Sequence, residues 1–279
     1  RGLGDVYKRQ PEVELYMENR RAKGFTVIQT VILSELDGSD GINRPLINGS
    51  PSTPDPDYFK WVDRVLEIAG EKGLYVGLLP TWGDKVDKQW GAGPEIFDEA
   101  NAREYGRWLG RRYADTPNII WIIGGDRSGE GKNFTVWKAM AEGIKECDKR
   151  HLMAYHPQGE HSSSFWFHDE TWLDFNMFQS GHAQRDYAIY RRLLLNDLQK
   201  QPIKPVLDGE PRYENIPIDF KSENGRFDDF DVRMTLYQSM FSGACGYTYG
   251  CNEVWQMYSD KYSPCLLYTS DAADEARSV

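Results

Sequence analysis

The chain has 279 residues, of which 40% are hydrophobic, and its formal net charge is -10 at pH 7. This length and apolar fraction are enough for a sizeable core, and one large α/β domain is the expectation. The acidic charge and the lack of a basic stripe argue against a nucleic-acid partner, and no apolar run has transmembrane length, so we expect no membrane partner.

The predicted elements alternate between strands and helices along the chain. A glycine followed by a β-branched apolar run predicts a strand at residues 23–32, and the long Gly/Pro/Asp/Ser stretch after it predicts a loop. Residues 57–69 have helical periodicity, with Asp57 as the expected N-cap and Gly73 beyond the end. Further strands are predicted at residues 74–82, 118–126, 152–159, 174–182, 204–211 and 244–250, and further helices at 97–115, 134–148, 186–200 and 228–242.

The seven predicted strands indicate the fold class. Short, continuously apolar strands that alternate with helices are typical of a parallel sheet covered by helices. An open doubly wound sheet is disfavoured because no GxGxxG or GxxxxGK[ST] motif follows any strand. We therefore predict an α/β fold, a (β/α)8 TIM barrel that lacks its first strand, with PEVELYMENRRAKG at residues 11–24 as the remnant of the first helix.

The two ends of the sequence are expected to be non-native. One legal DNA coding of the head DVYKRQ has a reverse complement that, shifted by one base, encodes CLLYTS, the sequence of residues 265–270. Inverted complementary DNA at both ends of a reading frame resembles the transposase adapter used in sequencing-library preparation. We expect residues 1–10 and 265–279 to be adapter-derived, which leaves residues 11–264 as the natural segment.

Polar and aromatic side chains follow nearly every predicted strand. In (β/α)8 barrels the reactive groups cluster at the carboxyl ends of the strands. The residues at these ends are Trp82, Asp126, His156, Gln158, Gln179, His182, Glu210 and Tyr249. If the first strand has been removed, Asp126 ends strand four and Glu210 ends strand seven, and these strands face one another across the barrel mouth.

Two acids at facing strand ends indicate cleavage of a glycosidic bond, in which one carboxyl group protonates the leaving oxygen and the other supports the anomeric carbon. In a retaining mechanism the two groups lie roughly 5–5.5 Å apart and one becomes the nucleophile. We assign Glu210 as the nucleophile and Asp126 as the acid/base, since a glycine before each allows a sharp turn and close ligand approach. Asp208, expected on the same strand face as Glu210, and Glu253 are the competing acids, and a helix N-cap or an ion pair is the structural alternative for each.

The remaining residues at the strand ends are expected to bind a sugar. His156 and His182 suit hydrogen bonds to sugar hydroxyls, and Gln158 and Gln179 belong to the same predicted set. Aromatic residues make up 13% of the chain, which suits a sugar-stacking pocket, although most of the rings are expected to pack in the core. The candidates for stacking on a sugar ring are Trp82, Tyr213, Tyr249 and Trp255.

Other chemistries have less support in the sequence. His156 and His182 are the alternative metal ligands, but there is no HxH pair and no His/Asp/Glu cluster at ligand spacing. No GxSxG motif indicates a serine nucleophile. The cysteines lack CxxC spacing, and Cys147, Cys245 and Cys251 are interpreted as small buried apolar residues. We therefore expect no metal and no cofactor.

Six segments closely resemble the apiosidase-like barrel of glycoside hydrolase family 140: GFTVIQ, GLYVGLLPTWGDK, NIIWIIGGD, FQSGH, KPVLDGEPRYE and GYTYGCNEVWQM. The resemblance covers nearly all of residues 11–260 and implies a retaining barrel, with an acid/base after strand four at Asp126 and a nucleophile after strand seven at Glu210. It also implies that a sugar such as apiose is removed from plant pectin side chains, and it suggests a periplasmic or secreted location in a bacterium. One departure is Cys251, which stands where a histidine or another polar residue is expected.

Two functional hypotheses follow from these features. The first is an exo-acting glycosidase that acts on plant polysaccharide side chains, and the second is a non-catalytic carbohydrate-binding barrel or an inactive fragment. The presence of both Asp126 and Glu210 favours the enzyme, because a binding module has no need of two opposed carboxyl groups. Without strand one, two strand edges stay unpaired where the barrel closes, so we expect the 279-residue chain to be unstable or inactive and its longer parent to be an enzyme.

Overall fold

The computed structural model describes residues 10–35, 44–183, 185–186 and 188–255. Apart from Gln10, the segments expected to be adapter-derived lie outside the described residues. The chain divides into two compact units. The first unit consists of Arg1–His156 and Glu170–Asp174, and the second consists of Pro157–Asp169 and Phe175–Val279.

The first unit contains a four-stranded sheet in the order β1-β2-β3-β4. Its strands are β1 (Val27–Leu33), β2 (Tyr75–Thr81), β3 (Ile119–Arg127) and β4 (Met153–Pro157), and its helices are α1 (Gln10–Ala22), α2 (Pro56–Glu71), α3 (Glu99–Tyr113) and α4 (Lys132–Cys147). Strands β1, β2 and β3 pair in parallel, and Leu33 lies level with Thr81. The carboxyl ends of these strands therefore meet at one edge of the sheet.

Burial on both faces explains why the strands of the first unit are continuously apolar. Alternate residues along β2 and β3 point to opposite faces of the sheet, and both sets are buried. Helix α2 covers part of the sheet with a stripe of buried apolar residues at helical spacing, which includes Phe59, Val62 and Leu66. This is the pattern from which a helix-covered parallel sheet is predicted.

The start of α2 differs from the sequence-based expectation. The N-cap is Asp55, whose carboxylate accepts hydrogen bonds from the backbone N–H groups of Asp57 and Tyr58, at 2.8 and 3.2 Å. Pro56 occupies the first helical position, where its missing N–H costs nothing, and this moves the cap before Asp57. Asp57 instead forms an ion pair with Lys60.

The second unit contains a four-stranded sheet in the order β5-β6-β7-β8. Its strands are β5 (His161–Ser162), β6 (Asn176–Gln179), β7 (Val206–Asp208) and β8 (Gly246–Tyr247), and its helices are α5 (Ser164–Phe167), α6 (Ile189–Leu198), α7 (Asp229–Phe241) and α8 (Asn252–Trp255). Strands β6, β7 and β8 pair in parallel, whereas β5 is antiparallel to β6. A buried apolar cluster from β6, α6 and β7 forms the core between the sheet and its helices.

All seven predicted strands are present, as β1 to β4 and β6 to β8. The short strand β5 and the one-turn helices α5 and α8 are additions that the sequence does not predict, because elements of two to four residues carry no measurable periodicity. None of the helices in the described ranges has the length and apolar composition needed to cross a membrane.

Candidate active site

Asp126 lies near the end of β3 with its side chain 21% exposed. Its φ of 62° is in the left-handed region, which residues other than glycine rarely adopt, and Gly124 and Gly125 before it also have positive φ values of 93° and 130°. A Cβ atom at Gly125 would lie 2.8 Å from the backbone nitrogen of Gly83, which follows β2. The two glycines therefore let β3 pass close to the end of β2 and depart from regular strand geometry where the carboxyl group is presented.

The Asp126 carboxylate contacts the side chains of Trp90 and Arg127. The indole N–H of Trp90 donates a hydrogen bond to Oδ2 over 3.2 Å, and Nη1 of Arg127 lies 3.7 Å from the same oxygen. Arg127 is fully buried, and its guanidinium also donates to the backbone carbonyls of Asp87 and Lys88, at 2.6 and 3.0 Å. The partial exposure of Asp126 leaves its carboxyl group accessible to a substrate, as a group that exchanges a proton with the substrate must be.

His156 supports the backbone of Asp126. Its Nδ1 accepts a hydrogen bond from the Asp126 N–H over 3.3 Å, and its ring packs on Trp82 with 5.7 Å between the centroids. The His156 side chain is fully buried. His156 therefore helps to position Asp126, and its expected hydrogen bond to a sugar hydroxyl stays a prediction. Trp82 is only partly buried at the end of β2 and stays a candidate for stacking.

Glu210 follows β7 and is 9% exposed. Its Oε1 accepts hydrogen bonds from the Tyr213 hydroxyl, at 3.0 Å, and from Nε2 of His182, at 3.1 Å. The rings of His182 and Tyr213 pack together with 4.4 Å between their centroids. Two donors on one oxygen orient the carboxylate and stabilise its negative charge, as a nucleophilic carboxylate requires. Tyr213 is thus a partner of Glu210, whereas the sequence suggested a stacking platform.

Gly209 positions Glu210 by allowing close packing. A Cβ atom at Gly209 would lie 2.4 Å from the Met177 side chain, so any larger residue would push β7 away from β6. Backbone hydrogen bonds hold the same contact, from Gly209 to Phe178 at 2.8 Å and from Gly181 to the Glu210 carbonyl at 3.0 Å. Each predicted acid therefore depends on a preceding glycine for a different reason.

Two buried polar atoms lie at the same edge of the second sheet. The described residues provide no hydrogen-bond partner for Oε1 of Gln179 or Nδ1 of His182, although both side chains are more than nine-tenths buried. Buried polar groups are normally satisfied, and a sugar hydroxyl can supply either bond. Gln158 is more exposed, and its amide lies 3.5 Å from Nε2 of His161. Gln179 and His182 are thus the stronger candidates for sugar binding.

The segment after β8 forms its own hydrogen-bonded network. The Tyr249 hydroxyl donates to Oε2 of Glu214 over 2.6 Å, and the competing acid Glu253 accepts a hydrogen bond from Cys251 Sγ at 3.1 Å. A backbone bridge pairs Glu214 with Cys251. Trp255 ends α8 and is partly buried. Glu253 and Tyr249 therefore have structural partners in this network.

Asp208, the other competing acid, is a structural residue. Its side chain is fully buried and accepts hydrogen bonds from the hydroxyls of Ser180, at 2.9 Å, and of Ser239 in α7, at 3.4 Å. Burial raises the pKa of Asp208 to about 7, although the hydrogen bonds from Ser180 oppose this increase. A carboxyl group without exposure cannot reach a substrate, so Asp208 is a poor candidate for the nucleophile.

Residues 7–275 match the family model described as the apiosidase-like catalytic domain. The chain belongs to this family. The assignment agrees with the resemblance found in the sequence, while a comparison with curated proteins gave no match.

Two solved structures are each 34% identical to this apiosidase-like chain, with TM-scores of 0.78. One is described as a glycoside hydrolase, and the other as a glycoside hydrolase family 5 protein from Bacteroides vulgatus ATCC 8482. The alignments cover 92% of this chain but only 61% and 58% of those two chains, so this chain spans about three fifths of their length.

A more distant neighbour has the same fold. An endo-1,4-beta-D-mannanase from Thermotoga petrophila RKU-1 is 17% identical, with a TM-score of 0.62 over 89% of this chain and 85% of that chain. At this identity the similarity shows the fold alone. The fold of the apiosidase-like chain is the (β/α)8 class of glycoside hydrolases, as the strand pattern predicts.

The cysteines of the apiosidase-like chain are free where they are described. Cys147 and Cys251 are partly buried, but Cys245 is exposed, so its interpretation as a buried residue is wrong. Cys245 lies between the buried Ala244 and the first residue of β8, and successive side chains of an extended segment point to opposite sides, so Cys245 points away from the core that contains Ala244. Within the described ranges, no group of three or more His, Cys, Asp or Glu side chains is arranged to hold a metal ion.

Two partners of Asp126 in this apiosidase-like chain are not predicted from its sequence. Arg127 directly follows the acid, and an arginine inside a buried strand is a signal that a buried anion or carbonyl lies nearby. Trp90 lies in the segment between β2 and α3, where the chain has no periodicity from which its position could be predicted. Its contact with Asp126 depends on the path of that loop.

Proposed function

We propose that the chain is a retaining glycoside hydrolase in which Glu210 is the nucleophile and Asp126 the acid/base. The observation that carries the proposal is the different setting of the two acids. Glu210 is almost buried and accepts two hydrogen bonds on one carboxylate oxygen, whereas the side chain of Asp126 is 21% exposed and contacts the exposed indole of Trp90. The first setting suits a fixed, charged nucleophile, and the second suits a group that gives up and regains a proton.

In the proposed mechanism, Glu210 attacks the anomeric carbon while the bond from that carbon to the glycosidic oxygen breaks. Asp126 gives its proton to the departing oxygen. Water then attacks the glycosyl–Glu210 ester, Asp126 takes a proton from that water, and the free sugar leaves with its original configuration. Tyr213 and His182 hold the Glu210 carboxylate in the first step and stabilise it again as it is released in the second.

We propose further that the substrate is a terminal sugar such as apiose on a plant pectin side chain, removed by exo-action. The apiosidase-like family description supports this sugar class. The buried polar atoms of Gln179 and His182 suit the hydroxyls of a single terminal sugar. A neutral sugar is also compatible with the net charge of -10, which would repel an anionic one. Since pectin is an extracellular polymer, we propose a periplasmic or secreted location.

The test is hydrolysis of pectin side-chain oligosaccharides by the wild type, Asp126→Asn and Glu210→Gln, each made in the expected longer parent protein, with chromatography of the released sugar. Loss of the acid/base should reduce kcat by about 10²–10⁴-fold, and loss of the nucleophile by at least as much. Asp57→Asn is the matched control for Asp126→Asn in the first unit, and Asp229→Asn is the control for Glu210→Gln in the second unit, because each removes an exposed acid. A wild type that binds the oligosaccharides without cleaving them would support the carbohydrate-binding alternative instead.

A further inference from the structure

We propose that the indole of Trp90 is the stacking platform for the sugar residue on the leaving-group side of the scissile bond. This inference rests on the proposed role of Asp126 as the acid/base. Trp90 is 64% exposed, which is unusual for so large an apolar side chain at a position with fixed hydrogen bonding. A single exposed aromatic residue is ordinary on a protein surface, so the inference depends on how this ring is held and what it touches.

The protein occupies one edge and one face of the Trp90 ring. The indole N–H donates to Oδ2 of Asp126 over 3.2 Å, and the Arg127 guanidinium carbon lies 4.6 Å from the ring centroid. Because Arg127 is fully buried, this cation–π contact backs the ring from the protein side. Most of the exposed area of Trp90 must then belong to the opposite face, which is open to a ligand.

The loop that carries Trp90 is held firmly on the first unit. Buried Asp84 and Lys85 form an ion pair at 3.1 Å, and both bind the backbone of Gly93, at 2.7 Å each. On the other side of the tryptophan, the Arg127 guanidinium donates to the Lys88 carbonyl at 3.0 Å. These bonds order the loop before a ligand binds, so little conformational entropy is lost when a sugar stacks on the ring.

The chemistry of the open face suits a sugar ring. One side of a pyranose or furanose ring presents C–H groups, which pack on an aromatic face and remove apolar area from water, while the hydroxyls at its edge stay hydrated. The location assigns the sugar to the leaving-group side. In the proposed mechanism Asp126 gives its proton to the oxygen that departs with the leaving group. The indole of Trp90 is hydrogen-bonded to Asp126, so it lies beside that oxygen.

Exposure supports the same assignment. Gln179 and His182, which would bind the terminal sugar, are both more than nine-tenths buried. A leaving group that is still part of a polymer must extend into solvent, and an open platform such as Trp90 suits it. Trp90 therefore adds a binding determinant for the second sugar to the residues at the strand ends.

The experiment compares two ligands and two backgrounds. Isothermal titration calorimetry measures binding of an apiose-terminated pectin side-chain disaccharide and of methyl apioside to Glu210→Gln and to the Glu210→Gln/Trp90→Ala double variant. We expect Trp90→Ala to weaken binding of the disaccharide by about tenfold or more, and binding of the methyl glycoside by less than threefold. Trp90→Phe, which keeps a ring but loses the N–H, should retain most of the disaccharide affinity.

Three results would contradict the proposed role of Trp90: an equal loss of affinity for both ligands on Trp90→Ala, no loss of affinity for either ligand, or no binding of the disaccharide by the Glu210→Gln variant itself. Phe241→Ala, which removes an exposed ring from α7, is the matched control and should change neither affinity. Thermal unfolding of each variant checks that the fold is intact. Since the readout is binding, it separates the platform from the proposed chemistry: a platform effect with no hydrolysis by the wild type would refute only the catalytic proposal.

Discussion

The Tyr213 hydroxyl donates a hydrogen bond to Oε1 of Glu210 over 3.0 Å, and the same carboxylate oxygen accepts a second bond from His182. In the proposed mechanism the Glu210 carboxylate must be oriented in the free enzyme, and it must regain its negative charge when the glycosyl ester is hydrolysed. Substitution of Tyr213 therefore tests the environment of the nucleophile while Glu210 itself is kept.

Tyr213→Phe removes this hydrogen bond and keeps the ring that packs on His182. We expect kcat to fall by about 10- to 100-fold, because a hydrogen bond to a charged group contributes roughly 1.5–3 kcal/mol. Steady-state kinetics measures the loss. Tyr249→Phe is the control, since its hydroxyl donates to Glu214. An equal loss in both variants would show that the Glu210 contact has no special role.

Gly125→Ala tests the backbone that presents Asp126. Gly125 has a φ of 130°, and an added Cβ would lie 2.8 Å from the Gly83 nitrogen, so both strain and a backbone clash oppose the substitution. We expect the free energy of unfolding to fall by about 2 kcal/mol or more. Gly73→Ala is the matched control, because Gly73 has a φ of 71° but open space around it. Urea unfolding compares them, and a similar cost at both sites would contradict the close contact with Gly83.

Asp208 should make stability depend on pH. Burial raises its pKa in the folded chain to about 7 from the ordinary 3.8, so the folded state holds this proton more tightly than the unfolded state. The contribution to stability is therefore complete below pH 3.8 and is lost as the pH rises to 7. Across that window the wild type should lose up to about 1.4 kcal/mol per pH unit through this group.

Asp208→Asn cannot ionise and should lack this part of the pH dependence. The measurement is urea unfolding of the wild type and the variant at several pH values, since the difference between them cancels the other titrating groups. The stability of the wild type relative to Asp208→Asn should fall as the pH rises. Asp229→Asn, an exposed change in α7, is the control. Parallel pH curves for the wild type and Asp208→Asn would contradict a protonated, buried Asp208.

Local sequence patterns are sufficient to locate Asp126 and Glu210 at strand ends. A continuous apolar run predicts a strand buried on both faces, and the glycines near its end predict where the backbone departs from regular strand geometry, because a side chain at those positions would clash. The class of barrel and the polarity of its strand ends follow from the same alternation of strands and helices. These features depend on neighbours in the chain, which a single sequence shows.

Features that depend on tertiary contacts are not predictable in this way. The partnership of Trp90 with Asp126 spans a loop without periodicity, and the complete burial of His156 follows from its packing on Trp82. The helix cap at Asp55 is predictable from the sequence, since Pro56 marks the first helical position. The exposure of the Cys245 side chain is not predictable from the sequence, because hydrophobicity does not distinguish the two faces of a short strand.

The central claim, that Glu210 is the nucleophile of a retaining glycosidase, is tested most directly by trapping its covalent intermediate. A 2-fluoro glycoside with a good leaving group forms the glycosyl ester and slows its hydrolysis, and mass spectrometry of a proteolytic digest then locates the modified residue. We predict one adduct on the peptide that contains Glu210, and none in Glu210→Gln. Modification of Asp126 or Glu253, or turnover with inversion and no adduct, would contradict the account.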